Sequence, residues 1–374
     1  MSVAVLVPLV MALPGRAVAA GPTCPSAREP LSADVRDRLL SQTVAPDAAG
    51  TVPTGPESLL VRRTLLYATR YIATTRWPSL PARHSAKIGL EAGNEALALA
   101  TATEIGGYNA TSVGKPLSFA RALGVVLAVT TVCRHGSVIQ NGWGAGGGRT
   151  VPRDLHAYSS PHTAANIGLG AWLLWPHLSP DERYYVANMV ASEADALLPI
   201  RPNYQFDRIG REIYPGDSKA EEDAWVSMAL TLAVAMMPDH TNAKRWRHKE
   251  VEFQIASYSS RPDVTSDTVI NGGRLRDWLR GSNIRNNGTL RNHNIEHPLY
   301  MAAIHLKLAA VGIYGLTHTA TPRSAVFNGS LVYGALESHR YPSPPFLSPG
   351  GTAYRAGSSD VYYPQGNDWG TRVL

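Results

Sequence analysis

The sequence predicts an all-α protein: an incomplete α/α toroid of antiparallel helix pairs, followed by a tail of loops and short strands. Three observations predict it. Helix-like segments recur from residue 57 to about 340, with short breaks and sparse strand signals between them. Two kinds of helix alternate. Some, such as "SPDERYYVANMVASEADALL", carry charges on one face; others, such as residues 224–237, are apolar nearly all round and so belong inside. No fixed sequence period runs through the segments, as a solenoid would require, and they are too many for a four-helix bundle.

The elements follow in order. Residues 1–20 read as a signal peptide: "VAVLVPLVMALPG" is an apolar core and "RAVAAG" supplies small residues for cleavage, which predicts a secreted protein. Residues 21–56 are rich in Ala, Pro, Thr and Ser and read as a flexible lead-in. The toroid is placed at 57–340, starting with "PESLLVRRTLLYATRYIATT", "SAKIGLEAGNEALALATATEIGG" and "PLSFARALGVVLAVTTVC". After a glycine-rich interruption the pattern resumes at "HTAANIGLGAWLLW". Ser179, Pro180 and Glu182 then form a complete helix start, and Ser218 with Glu221 repeats the capping-box spacing. "NAKRWRHKEVEFQIASYSS" and "HPLYMAAIHLKLAAVGIYGL" complete the strong helices, with a weaker one near "SAVFNGSLVYGALES". Residues 341–374 are Pro-, Gly- and Tyr-rich and read as an irregular tail of loop or short strands, either the truncated start of a further region or the end of a toroid that stands alone.

Composition bounds the partners. The chain has 374 residues, 44% hydrophobic and 17% charged, enough for a sizeable core. Beyond the N-terminus no apolar run reaches the roughly 20 residues of a membrane span. A net charge of +6, carried largely by arginine, suits an acidic polysaccharide or a cell wall. Nucleic acid is not expected, because no helix-turn-helix, zinc-finger or aromatic RNA-binding pattern is present. Two cysteines, Cys24 and Cys133, allow one bridge or two buried thiols. The sequence carries no signal for an oligomeric state and no redox cofactor motif.

Three polar stretches hold the candidate site residues. "QNGWGAGGGRTVPRD" lacks the Gly-Lys-Ser/Thr ending of a phosphate loop. As a loop over a cleft it offers Asn141, the flat face of Trp143 to a sugar ring, and Arg149 to a carboxylate or sulfate. In "YPGDSKAEEDAW" the capping box accounts for Ser218 and Glu221. Glu222 and Trp225 share a helix face that could line a cleft, and Tyr214 could reach a ligand.

The third stretch, residues 286–304, reads "NNGTLRNHNIEHPLYMAAI". His293, Glu296 and His297 match the His-x-x-Glu-His spacing of a zinc peptidase, which needs a helix to converge its histidines. Pro298 instead predicts that the helix begins there and leaves both histidines outside it. An acid/base site acting on a uronic acid fits the residue types better. Elimination needs a neutralised carboxylate, a base for the sugar C5 proton and an acid for the leaving oxygen; Asn292, His293 and Tyr300 supply these, with His297 beside them. The plainer alternative makes Asn and Gly a turn, His297 a helix cap and Tyr300 a core residue.

"NGTLRNHNIEHPLY" resembles the "DGS…H…Y" segment of the hyaluronate and chondroitin lyases, with Gly288 and His293 at the same spacing. The pair Asn292–His293 also resembles that of heparinase II/III-like and alginate lyases. The resemblance implies an α/α toroid and a secreted polysaccharide lyase without cofactor, acting on a uronate-containing chain. It makes His293 the base or carboxylate neutraliser, Tyr300 the acid/base and Asn292 a neutraliser. A glycoside hydrolase on the same fold would need paired carboxylates, from Glu222, Glu296 or Asp217. A non-catalytic glycan-binding domain is the third expectation.

Overall fold

The computed structural model describes residues 24, 32–48, 55–81, 91–133, 135 and 159–340. Residues 1–20, the expected signal peptide, and 341–374, the expected tail, lie outside the described residues, as do Asn141, Trp143 and Arg149.

The described protein is mainly α-helical. Its helices are α1 (Ala33–Leu40), α2 (Pro56–Tyr71), α3 (Glu91–Ala100), α4 (Ala110–Val113), α5 (Leu117–Val132), α6 (Ser159–Leu173), α7 (Pro180–Ala196), α8 (Ala220–Met236), α9 (Ala243–Ser257), α10 (Leu275–Trp278), α11 (Pro298–Ala302), α12 (His305–Gly315) and α13 (Gly329–Ser338). Among the described residues, strand is confined to three antiparallel ribbons of two-residue strands. β1 (Phe206–Asp207) pairs with β4 (Gly281–Ser282), β2 (Val269–Ile270) with β3 (Gly273–Arg274), and β5 (Arg291–Asn292) with β6 (Ile295–Glu296).

The apolar patterning places α8 at the centre, where every residue from Ala220 to Met236 is buried. It packs most closely on α9, then on α12 and α6; α6 in turn packs on α3 and α7, and α3 on α5. The approach of α3 to α6 depends on glycine. A Cβ on Gly170 would stand 2.9 Å from the Leu97 backbone, and one on Gly93 would overlap the side chain of Ile167. This close crossing brings Asn94 on α3 within 3.3 Å of Asn166 on α6.

Several local expectations hold. Ser179 and Glu182 form the capping box of α7, and Pro180 takes the first helical position. Cys24 and Cys133 are joined by a disulfide. Others are corrected. The segment 21–56 is not simply a flexible lead-in: it contains α1, which packs on α7, and a strap in which Val44 N–H donates to Met236 O (2.8 Å) and Val44 O accepts from Trp172 Nε1 (2.8 Å). Leu39, Leu40 and Val44 supply the apolar contacts that hold it on the core. The run 298–315 is two helices, broken at Ala303–Ile304. It is long and apolar enough to cross a membrane, yet 61% of it is buried inside the protein, as in a core helix.

Candidate active site

The site is built at the first turn of α8. The chain before it, residues 214–218, receives the β5–β6 hairpin as an added layer. Asn294 N–H donates to Gly216 O (3.0 Å) and Ser218 N–H to Arg291 O (2.8 Å). The hairpin turn is His293–Asn294, with φ of 49° and 65°. Two residues with positive φ make a type I′ turn, whose twist matches a short ribbon. Asn and His are among the non-glycine residues that adopt this conformation most readily. Gly216, at φ 74°, leaves room for the Asn294 side chain; any Cβ would overlap its amide.

Pro298 opens α11 with His297 at the N-cap, so both histidines lie outside the helix, as the proline predicts. The His297 side chain does not cap. It is fully buried, edge-on to Tyr300 with ring centroids 4.8 Å apart, and burial followed by repulsion from His293 lowers its pKa to about 4. The helical face required by His-x-x-Glu-His is replaced by a hairpin. Glu296 is occupied elsewhere, paired with Arg285 and with His339 Nε2 (3.0 Å).

The turn presents His293 to Tyr300. The imidazole Nε2 and the phenol oxygen are 2.7 Å apart, a hydrogen bond whose direction follows the histidine tautomer. Tyr300 belongs to both core and cleft. Its backbone carbonyl accepts from Tyr258 OH (2.7 Å), while the side chain lines a cavity of about 260 Å³. That cavity is walled by α11 and α12, by Asn94 of α3 and His162 of α6, and by Glu221 and Trp225 of α8.

Glu221 departs most from the sequence expectation. The Ser218/Glu221 capping box does not form, and α8 begins after Lys219 with no side-chain cap. Ser218 Oγ instead donates to Asn283 O (2.8 Å) and accepts from Ala220 N–H (3.2 Å). Released from capping, Glu221 turns into the cleft, where Oε2 is buried with no hydrogen-bond partner. Burial, then the charge of Glu222, pushes its pKa well above the ordinary carboxyl value, which favours the protonated form, a hydrogen-bond donor.

Asn292 is also buried beside it. Its Nδ2 donates to Ser218 O (3.0 Å) and approaches Glu221 Oε1 (3.5 Å), which leaves Oδ1 without a partner. Asn292 therefore offers an acceptor, whereas neutralising a carboxylate calls for donors. Two donors are Glu221 and Asn94, whose Oδ1 is taken by Asn166 and whose Nδ2 remains for the cleft.

Trp225 lines the cleft and stacks on His162, with centroids 4.7 Å apart and planes 12° from parallel. Burial, then the nearby His305, lowers the His162 pKa to about 4. Its Nε2 accepts from Asn166 Nδ2 (3.0 Å), which places the proton of the neutral ring on Nδ1. Glu222 does not share this wall. Lys219 Nζ lies 3.1 Å from Glu222 and 2.7 Å from Asp217, over the Tyr214 ring at 4.8 Å. Tyr214, Asp217 and Glu222 thus form an ion-pair cluster beside the hairpin rather than a catalytic pair across the cleft.

Sequence reasoning missed Glu221, His162, His305 and Asn94. One signal for this wall was available: His162 and Asn166 are four apart on a helix that is otherwise uncharged and mostly apolar, and so share a face. No family model matches the chain, and no curated protein or solved structure matches it.

Proposed function

We propose that the protein is a secreted polysaccharide lyase that cleaves a uronate-containing chain by β-elimination, on helices arranged as an incomplete α/α toroid. One observation carries the reading: the 2.7 Å contact between His293 Nε2 and Tyr300 OH, at a cleft that Glu221 also lines.

In this reading the substrate carboxylate meets Glu221 O–H and the amide of Asn94. Hydrogen bonds from neutral donors withdraw charge from the carboxylate and make the neighbouring C5–H more acidic. The Tyr300–His293 pair removes that proton. The C5–H electrons form the C4=C5 double bond, and the C4–O4 bond breaks with its electrons going to O4. The proton held by the pair is returned to O4, which leaves as a hydroxyl. Trp225 supplies the apolar wall against which a sugar ring packs. Glu222 and Glu296, tied to Lys219 and Arg285, are poorly placed for the two-carboxylate chemistry of a hydrolase.

The test is incubation with hyaluronan, chondroitin sulfate, alginate and heparin, following near-ultraviolet absorbance of the unsaturated uronate alongside new reducing ends. Both signals rising together is the expected result. Reducing ends without absorbance would replace elimination with hydrolysis, and neither signal would leave a glycan-binding domain.

A further inference from the structure

A second concavity, of about 410 Å³, lies beside the β1–β4 ribbon and outside the cleft. Phe206 and Ile284 give it an apolar floor, and Arg261, Arg285, Asn286 and Asn287 bring polar groups to it. No acidic side chain lines it.

Its polar atoms are mostly unspent donors. Arg261 makes no ion pair or hydrogen bond with any described residue, although its chain lies among several acids: Asp207 is held by Arg211, and Asp263 by Ser260 and Asn328. The Arg261 side chain is exposed. It lies against Gly210 at φ 84°, where a Cβ would stand 3.0 Å from Cζ. Asn287 Oδ1 accepts from Thr289 N–H (3.2 Å) and Oγ1 (2.9 Å), which leaves its Nδ2 as the outward group. Arg285 reaches Glu296 through Nη1 alone and keeps other N–H groups.

We infer that this groove is an anion subsite that takes the carboxylate or sulfate of a sugar ring, with Arg261 as its principal cation and Phe206 under the ring. Guanidinium groups bind planar and tetrahedral oxyanions through paired N–H donors, and an unpaired arginine beside an apolar floor has those donors available. Arg285 ties the groove to Glu296 on β6, the strand that follows the His293 turn, so groove and cleft flank one hairpin. The inference shares with the proposed function only the class of ligand; it does not need the elimination chemistry.

The experiment titrates size-defined oligosaccharides of chondroitin sulfate, hyaluronan and neutral dextran into His293→Ala protein, with and without Arg261→Gln, by calorimetry. Arg261→Gln is expected to weaken both acidic oligosaccharides by about 5- to 30-fold, the scale of one charge-assisted contact. Dextran binding should be indifferent to it. Arg261→Lys should recover only part of the loss, because the charge returns without the fork. A loss confined to chondroitin sulfate would assign the groove to sulfate, and a loss for both to carboxylate. Equal affinity with and without Arg261, an equal loss for dextran, or no binding of any acidic oligosaccharide would overturn the inference. Arg261-dependent binding without an unsaturated product from the wild type would remove elimination and keep the groove. Product formation with Arg261-independent affinity would do the reverse.

Discussion

Glu221 and Glu250 are both buried, on helices packed against each other, and burial raises the pKa of each. Their surroundings differ. Around Glu250 every lone pair is engaged: Oε1 accepts from Thr231 Oγ1 (2.8 Å) and Gln254 Nε2 (2.9 Å), and Oε2 from Tyr314 OH (2.8 Å) and Arg247 Nη1 (3.2 Å). The seam continues through Gln254 Oε1 to Ser324 Oγ (2.7 Å) and through Gln254 O to Lys307 Nζ (3.0 Å). Glu221 lines a cavity, and one of its oxygens, Oε2, is buried with no hydrogen-bond partner. A buried carboxyl with a complete shell holds helices together. One with an unpartnered oxygen beside a cavity keeps a cost in the folded state that a ligand or a water molecule can relieve.

The comparison breaks most visibly on the cleft side in activity and on the seam side in stability. His293→Ala and Tyr300→Phe should each lower kcat/KM for elimination by about 10²- to 10⁴-fold, the range of one acid/base group, while loss of the exposed His293 should cost no more than the roughly 1 kcal/mol of alanine at φ 49° in urea unfolding. Loss of the midpoint together with activity would return the pair to a structural role. Glu250→Ala should do the opposite. It strands Arg247, Thr231 and Tyr314 and should cost about 3 kcal/mol in urea unfolding.

Glu221→Gln sharpens the contrast through pH. The Glu221 pKa is raised on folding, so its stability contribution is full below the unfolded value near 4.5 and is lost as pH rises through the folded one. The glutamine variant should therefore gain on the wild type progressively above about pH 4.5, measured as the difference in unfolding free energy across a pH series. A constant difference would show that Glu221 is ionised in the fold. Asn294→Ala should have the smallest effect, about 1 kcal/mol, because alanine replaces asparagine at φ 65° in the turn that aims His293.

These two regions also show what the sequence carries. The burial of α8 is legible because from Ala224 onward Ser227 and Thr231 alone interrupt its apolar run, and the α11 start is legible because Pro298 stands next to His297. The capping box at Ser179 depends on residues three apart and is read correctly. The same spacing at Ser218 and Glu221 misleads, because Asn283, 65 positions away, claims the serine hydroxyl. That tertiary contact hands Glu221 to the cleft and leaves Glu222, the residue the helical face suggests, to Lys219. The eight residues of α1, half of them charged, give a weak periodic signal and are held in place by packing on α7. The break at Ala303 leaves no Gly or Pro in the sequence to mark it.

The bridge between Cys24 and Cys133 also sets an order of assembly. A chain that appears N-terminus first presents Cys24 early, and its partner follows 109 residues later, at the end of α5. The ring can close at that moment around α1 to α5, before α6, α8 or the hairpin has been made. The wall that bears Asn94 is then enclosed in a covalent loop before the remaining walls of the cleft exist. With two cysteines in the chain, that closure has a single possible pairing within the molecule.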